Sequence, residues 1–477
     1  MGKINAKKTG IENAFRAGVW YSISAIAAKA VSFITTPFFT RMLTTEDYGV
    51  AATFSSWYSI FLVICTANLA YSHSRGKIDF KEDFKRYVGS TQTLRFIITA
   101  VMLGFAIVFM DPVSKILDMQ PSLVILLFIY LLAGGTVSLA QSRNRYQYDY
   151  KKNIFITFFS TVGTVSVTFT FLFFMKEQKY YARVFGFVVP MAVLAIWIFY
   201  GEIKERSLCL NTAYWKYGLQ VSLPLVFHTI SLSVLTQSDR IIIGHICGRT
   251  SAGIYSLVYQ YAMLINIVLN AINESWNPWF HDVYHEHQYE LINKKIIPLN
   301  AFVCFICMGC ISVGPEALLL LGGQKYQSGM YCIAPIALGI LAQFLFGHYI
   351  ILEIHHKETK YTSIGTMIAA CFNIIFNILF ISKFGYVCAA YTTLASYLIL
   401  YGVHYYITRW KLQLTIYNDA KIFNCLIWTA VYALICGFLY ERACLRYLLL
   451  VAVSLAFSVI FRDELLQILF KKKRTGR

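Results

Sequence analysis

Charge is what this sequence has least of. Only 14% of its 477 residues are Asp, Glu, Lys or Arg, where soluble proteins carry about a quarter. With 57% hydrophobic residues, a water-soluble chain of this size would expose apolar surface that it has no interior to hide. The class is therefore integral membrane protein. Long polar segments are missing as well. The longest expected connection, after the eighth apolar run, has about 22 residues, too few for a soluble domain, and this excludes membrane enzymes that work through a large outer loop. No G-x-x-x-x-G-K-[ST] occurs, so no nucleotide-driven pump is built in. The stretch "LGGQKYQSG" at 321–329 has glycines at other spacings. D-x-D, H-E-x-x-H and G-x-S-x-G are also absent, and the chain does not read as an enzyme.

A disulfide framework is lacking too. The twelve cysteines mostly stand singly inside apolar runs, as small buried hydrophobes do. Cys304, Cys307 and Cys310 form a C-x-x-C-x-x-C run in mid-span, where packing is the expected role. His281 and His285 are four apart with no third ligand in sight, which favours a solvated helix face over a metal site. No metal and no cofactor are expected. No A-x-A-type cleavage site follows a short apolar region, so the first run is expected to remain as a span.

What is present is a series of apolar runs, each long enough to cross a bilayer at about 20 residues. They fall at 17–39, 48–70, 87–110, 122–141, 153–175, 182–200, 217–238, 250–273, 296–321, 330–353, 361–381, 385–407, 421–440 and 445–461. The fold class is thus all-α and polytopic, with fourteen transmembrane helices, and an even number puts both termini on one side. With the N-terminus taken as cytoplasmic and residues at the very edge of a span counted with the adjoining segment, 29 of the 42 Lys and Arg residues fall in inner segments and 11 in outer loops, leaving Lys29 and Arg95 deep inside spans. Positive charge marks the cytoplasmic side. Much of the net +18 then reflects topology and attraction to anionic headgroups of membrane lipids, not nucleic-acid binding.

Polar residues inside the spans recur at helical spacing. Ser22, Ala25, Lys29, Ser32 and Thr36 share one face of span 1. Span 3 carries Thr91, Arg95 and Thr99, and span 5 carries Thr157, Thr161, Thr164 and Thr168. Span 7 has Gln220, Pro224, His228 and Ser231. Span 8 is the most polar, with Asn266, Asn270 and Asn273 in register and Glu274 beside them. Span 11 has Asn373 and Asn377. Such residues either bind helices to one another or line a watery path. Lys29 decides between these roles for span 1. It lies about 18 Å from the cytoplasmic end of its helix, too deep to reach the interface, and ionisable groups at that depth face a bundle interior or a cavity. Arg95 is expected to line the same cavity from a shallower position. Two cations make that cavity fit for an anion such as a lipid pyrophosphate, with hydroxyls and amides left to meet sugars.

Several stretches then resemble one family. "FFTRMLTTEDYGVAATF" at 38–54 is similar to the span 1–2 junction of bacterial polysaccharide flippases, of the O-antigen and capsule type, in the multidrug/oligosaccharidyl-lipid/polysaccharide exporter superfamily. "SDRIIIGHICGRTSAGIYSLVYQYA" at 238–262 is similar to their span 7–8 junction. "NIIFNILFISKFGYVCAAYTTLASY" at 373–397 matches their span 11–12 signature, the most specific of them, and 321–329 resembles the short motif after span 9. The likeness reaches from about residue 15 to residue 410. One departure is "TTEDYG", where many relatives have proline at the second position.

The resemblance implies two six-helix lobes around a central cavity, at 1–208 and 209–415, followed by spans 13 and 14 and a basic tail at 416–477. Gly49 and Gly253 fall at comparable points of the two halves. It also implies flipping of undecaprenyl-pyrophosphate-linked oligosaccharide repeat units across the bacterial inner membrane by alternating access. Polysaccharide polymerase and other assembly proteins are the expected partners. Lys29, Arg95, Ser32, Thr36, Asn266, Asn270, Asn373 and Asn377 are the expected substrate-binding residues. His228, Asp239 and Glu274 are candidates for coupling to a proton or sodium gradient. The competing readings are an antiporter of drugs or organic cations from the same superfamily, which calls for acids in the cavity, and a membrane glycan polymerase or ligase.

Overall fold

The computed structural model describes residues 2–462; the basic tail beyond them lies outside the described residues. All fourteen expected spans are helices, and no strand occurs among the described residues. Several helices overrun the apolar stretch that reveals them. Span 7 is a 36-residue helix, Thr212–Cys247, and span 9 a 34-residue helix, Tyr289–Gly322. The connection after span 8 therefore shrinks from the expected 22 residues to 286–288. Hydropathy marks where hydrocarbon ends, but a helix continues through the interface when Trp and Tyr can sit there. Trp276, Trp279, Tyr284 and Tyr289 occupy these helix ends.

The chain divides into two compact units, Met1–Gly253 and Ile254–Arg477. Packing thus groups all of span 7 with the N-terminal helices. In the first unit, span 6 packs on spans 4 and 5, span 2 on span 7, span 1 on span 5 and span 3 on span 4. Its apolar centre is Phe54, Leu127, Phe128, Leu131, Val184 and Val188. Small residues bring helices close: a Cβ on Gly186 would overlap Thr168 Oγ1, and one on Gly163 would press on Pro190. Thr168, from the threonine stripe of span 5, is helix glue.

The "LTTEDYG" stretch is explained by a helix cap. Thr44 Oγ1 accepts from the Asp47 amide at 3.0 Å, while the Asp47 carboxylate accepts from the Thr44 amide at 3.1 Å. This reciprocal box satisfies the free N–H groups that begin span 2. The other Asp47 oxygen holds the Tyr180 amide at 3.1 Å, pinning the start of span 6. Two residues after Asp47, Gly49 meets Gly253. A Cβ on Gly49 would run into the carbonyl of Arg249, and a Cβ on Gly253 into the carbonyl of Thr45. The contact is reciprocal, because each glycine faces the carbonyl four residues before the other.

In the second unit, span 12 packs on spans 10 and 11, and span 13 on span 9. The 373–397 signature is the seam between spans 11 and 12. Asn373 Nδ2 donates to Thr393 Oγ1 at 3.1 Å, Asn377 Nδ2 donates to Asn373 Oδ1 at 3.1 Å, and Thr392 Oγ1 donates to Asn377 Oδ1. Gly385, at φ +79°, ends span 11 in a conformation that favours glycine. Span 8 is two helices, Arg249–Ala262 and Ile265–His285. At the break the amides of Leu264, Asn266 and Ile267 bond three residues back, to Tyr261, Met263 and Leu264.

Candidate functional site

Span 1 shows three faces. Tyr21, Ser24, Ala28, Val31, Thr35 and Phe39 recur every three or four residues and are half-buried or buried. Phe39 packs on Phe169 of span 5, with ring centroids 4.8 Å apart. A second, exposed face carries Trp20, Ile23, Ala27, Ala30, Ile34 and Phe38, bulky enough for lipid tails. The third carries Ala25, Lys29 and Ser32, also exposed but small, polar and cationic. Lipid would be a poor partner for that face, whereas water or a charged ligand suits it. Among the described residues Lys29 has neither an ion pair nor a hydrogen bond. Thr36, at the end of the same stripe, is covered at 2% exposure and donates back to the Ser32 carbonyl at 2.8 Å.

Arg95 sits elsewhere. It is 2% exposed and held inside the first unit. Its Nε donates to Gln92 Oε1 at 3.2 Å, Nη1 to the Leu132 carbonyl at 3.2 Å and Nη2 to Thr136 Oγ1 at 2.7 Å. The expected lining role is replaced by a bridge between spans 3 and 4, where Gly135 leaves the room its guanidinium needs. Asn373 and Asn377 are likewise corrected: both are fully buried in the span 11–12 seam. A lone sequence places such residues on a face but does not tell whether the face meets another helix or water.

Asn266 and Asn270 have the opposite placement. Together with Asn273 and Asn277 they form one stripe on the Ile265–His285 helix at intervals of four, three and four, and all four line a cavity of about 300 Å³ within the second unit. Gln343, Phe344, Gly347 and His348 of span 10 form the facing wall, and Trp276 closes the side. His348 is held by Asn300 Oδ1 at 2.9 Å from its Nε2. Trp276 lies against Trp279, ring centroids 4.8 Å apart and planes tilted by 43°, and its Nε1 is buried without an acceptor among the described residues. Each amide both donates and accepts, so five amides beside an indole offer the paired contacts that sugar hydroxyls make. Asn277, Gln343, His348 and Trp276 were outside the sequence-expected set. Asn277 continues the stripe at i+4, and closing the span at residue 273 hid it. Gln343 and His348 carry no signal of their own, since only packing brings span 10 opposite.

Of the coupling candidates, Asp239 is buried, His228 half-buried and Glu274 exposed. Arg240, beside Asp239, donates to Gln237 Oε1 at 2.6 Å.

Comparison with known proteins bears on the whole arrangement. The sequence model of a family described as "Polysaccharide biosynthesis protein" matches residues 15–284. An Lsg locus protein of Haemophilus influenzae is 23% identical over 358 residues, 70% of this chain and 84% of that one. The capsular polysaccharide biosynthesis protein CapF of Staphylococcus aureus is 24% identical over 208 residues, 42% of this chain and 52% of that one. Among solved structures, the lipid II flippase MurJ in an inward closed conformation superposes with a TM-score of 0.70 at 14% identity, covering 94% of this chain and all of that one. An inward-facing multidrug resistance MATE family transporter gives 0.66 at 12% identity, covering 82% and 98%. The fold is of this MurJ- and MATE-like transporter type.

Proposed function

The chain belongs to the polysaccharide biosynthesis protein family, and from that premise we propose that it is a flippase for undecaprenyl-pyrophosphate-linked oligosaccharide repeat units. It works by alternating access in the bacterial inner membrane, with both termini cytoplasmic, and delivers its cargo to the polymerase and assembly proteins of surface polysaccharide biosynthesis. The observation that carries this reading is Lys29. An unpaired ammonium on an exposed, small-residue face inside a membrane span is stabilised when an anion arrives, and attraction between ammonium and phosphate strengthens as water is excluded. Lys29 and Ser32, in the first unit, suit a pyrophosphate; within the second unit the amides of Asn266, Asn270, Asn273 and Asn277 suit sugar hydroxyls. A cavity of about 300 Å³ lies at the small end of ligand pockets and admits part of an oligosaccharide. An exporter of organic cations would place acids there; the lining residues are amides, aromatics, aliphatics and His348.

The test is complementation of a strain lacking its own flippase, with protein level followed by blot. Lys29→Ala is expected to abolish surface polysaccharide while the protein accumulates normally. Lys29→Arg retains part of the activity, because the charge survives though its compact geometry does not. Full activity in Lys29→Met would refute the anion site.

A further inference from the structure

Spans 10, 11 and 12 enclose a buried acid–base pair to which the substrate reading gives no task. His404 Nδ1 lies 2.7 Å from Glu353 Oε1, and both side chains are fully buried. Thr362 Oγ1 donates to the other carboxylate oxygen at 2.8 Å. The imidazole stacks on Phe346, centroids 5.5 Å apart, and Gly365 keeps span 11 close to its edge. His404 Nε2 is buried with no partner among the described residues. Every other polar atom of the cluster is engaged, so this nitrogen stands out.

From this geometry we infer that Glu353 and His404 form a proton-binding site that couples transport to a proton gradient, an inference that rests on the chain being a transporter. The proton balance is simple. A neutral imidazole donating its Nδ1–H to the Glu353 carboxylate leaves the pair with a net charge of −1. One proton taken up on Nε2 makes imidazolium and carboxylate, with net charge zero. No other group has to gain or lose charge. Uncompensated charge in a low-dielectric interior is costly unless paired, so the two protonation states favour different surroundings.

The neighbouring titratable groups have tasks of their own. On span 10, His348 is held by Asn300, Tyr349 donates to Asp419 at 2.9 Å and His355 lies against His281; just beyond the span, His356 meets Tyr284. On span 11, Lys360 pairs with Glu358 and lies over the Tyr361 ring. After span 12, Arg409 is paired with Asp419, while within it Tyr401 and Tyr405 present edges to Tyr349. Coupling to the cargo runs through span 10 itself. Ile350, Ile351 and Ile354 flank Glu353 on the same helix and line the amide cavity. A change in the net charge of the Glu353–His404 pair therefore acts, through Glu353, on a wall of the sugar site. Nε2 is sealed in this conformation, and its proton exchanges only when spans 10 and 12 part.

Two measurements test this. Infrared difference spectra of the purified protein recorded on acidification are expected to contain a neutral-to-imidazolium ring signal that disappears in His404→Gln. A spectrum unchanged by that substitution overturns the site. In proteoliposomes, with a lipid pyrophosphate bearing one N-acetylhexosamine as probe, the ratio of transport with and without a pH gradient is expected to be several-fold and to fall to about one in Glu353→Gln. A ratio that survives the substitution, a wild-type ratio of one, or a response to sodium instead of protons each overturns the inference. A wild-type protein that moves no probe refutes the flippase reading and leaves the infrared arm to decide the proton site. The double variant Glu353→Gln/His404→Gln keeps an amide hydrogen bond between the helices and serves as the folded control, checked by its elution profile.

Discussion

Leucine at Asn270 and leucine at Asn373 have opposite expected outcomes. At Asn373 the substitution removes its hydrogen bonds to Thr393 and Asn377 inside a helix seam. Hydrogen bonds of this type between membrane helices are worth about 0.6–2 kcal/mol each, so the protein level should fall and transport should fall in proportion. At Asn270, on the cavity wall, leucine leaves no partner helix unsatisfied. The protein should accumulate while transport drops. Blots and complementation read the two effects separately, and full transport in Asn270→Leu would remove the amide stripe from the substrate path. The same contrast explains what single residues reveal in the sequence. Polarity at helical spacing marked Lys29 and both asparagine stripes, but the pattern is identical for glue and for lining. Glu353 and His404 left no mark because each is one polar residue in an apolar run and its partner lies 51 positions away.

At the level of elements, the family-like stretches turn out to be joints. "TTEDYG" is a helix cap plus a tie to span 6, 373–397 is a hydrogen-bonded seam, and Gly323 and Gly385 adopt positive φ at helix ends. The Gly49–Gly253 contact gives the sharpest test. Alanine at either position drives a methyl group into the carbonyl of Arg249 or Thr45, and backbone on both sides cannot swing away as a long side chain can. Gly49→Ala and Gly253→Ala are each expected to cost about 1–3 kcal/mol, read as a lower apparent melting temperature in detergent. Because the contact is reciprocal, the double variant should not be additive. Unchanged melting in both single variants would mean that the helices separate without penalty. Glycine at these positions was legible; the fact that they touch was not, because 204 residues separate them. The break in span 8 was invisible for another reason: "AMLIN" contains neither glycine nor proline.

For the whole molecule, the number of spans and the sidedness of charge were the strongest signals. Apolar length is imposed by the bilayer and not by packing, which is why all fourteen spans appear as helices while their ends shift. The charge asymmetry predicts orientation. Single cysteines placed in the 71–86 segment and at either terminus should be blocked only by permeant reagents. One placed near Lys115 should react with an impermeant reagent from outside. An externally reactive C-terminus would change the parity of the topology. The membrane helices also explain why the charge of +18 says little about partners.

The break in span 8 has a consequence for phase. Three bonds there, from the amides of Leu264, Asn266 and Ile267, close onto the third residue back instead of the fourth. A chain wound at about three residues per turn advances 120° per residue, against 100° in an α-helix. Rewinding the three residues into regular α-helix would therefore turn everything after them by about 60° about the helix axis. Asn270, Asn273 and Asn277 lie after them. An exchange of three hydrogen bonds, with no large translation, is enough to rotate these three amides toward the wall of span 10 or away from it.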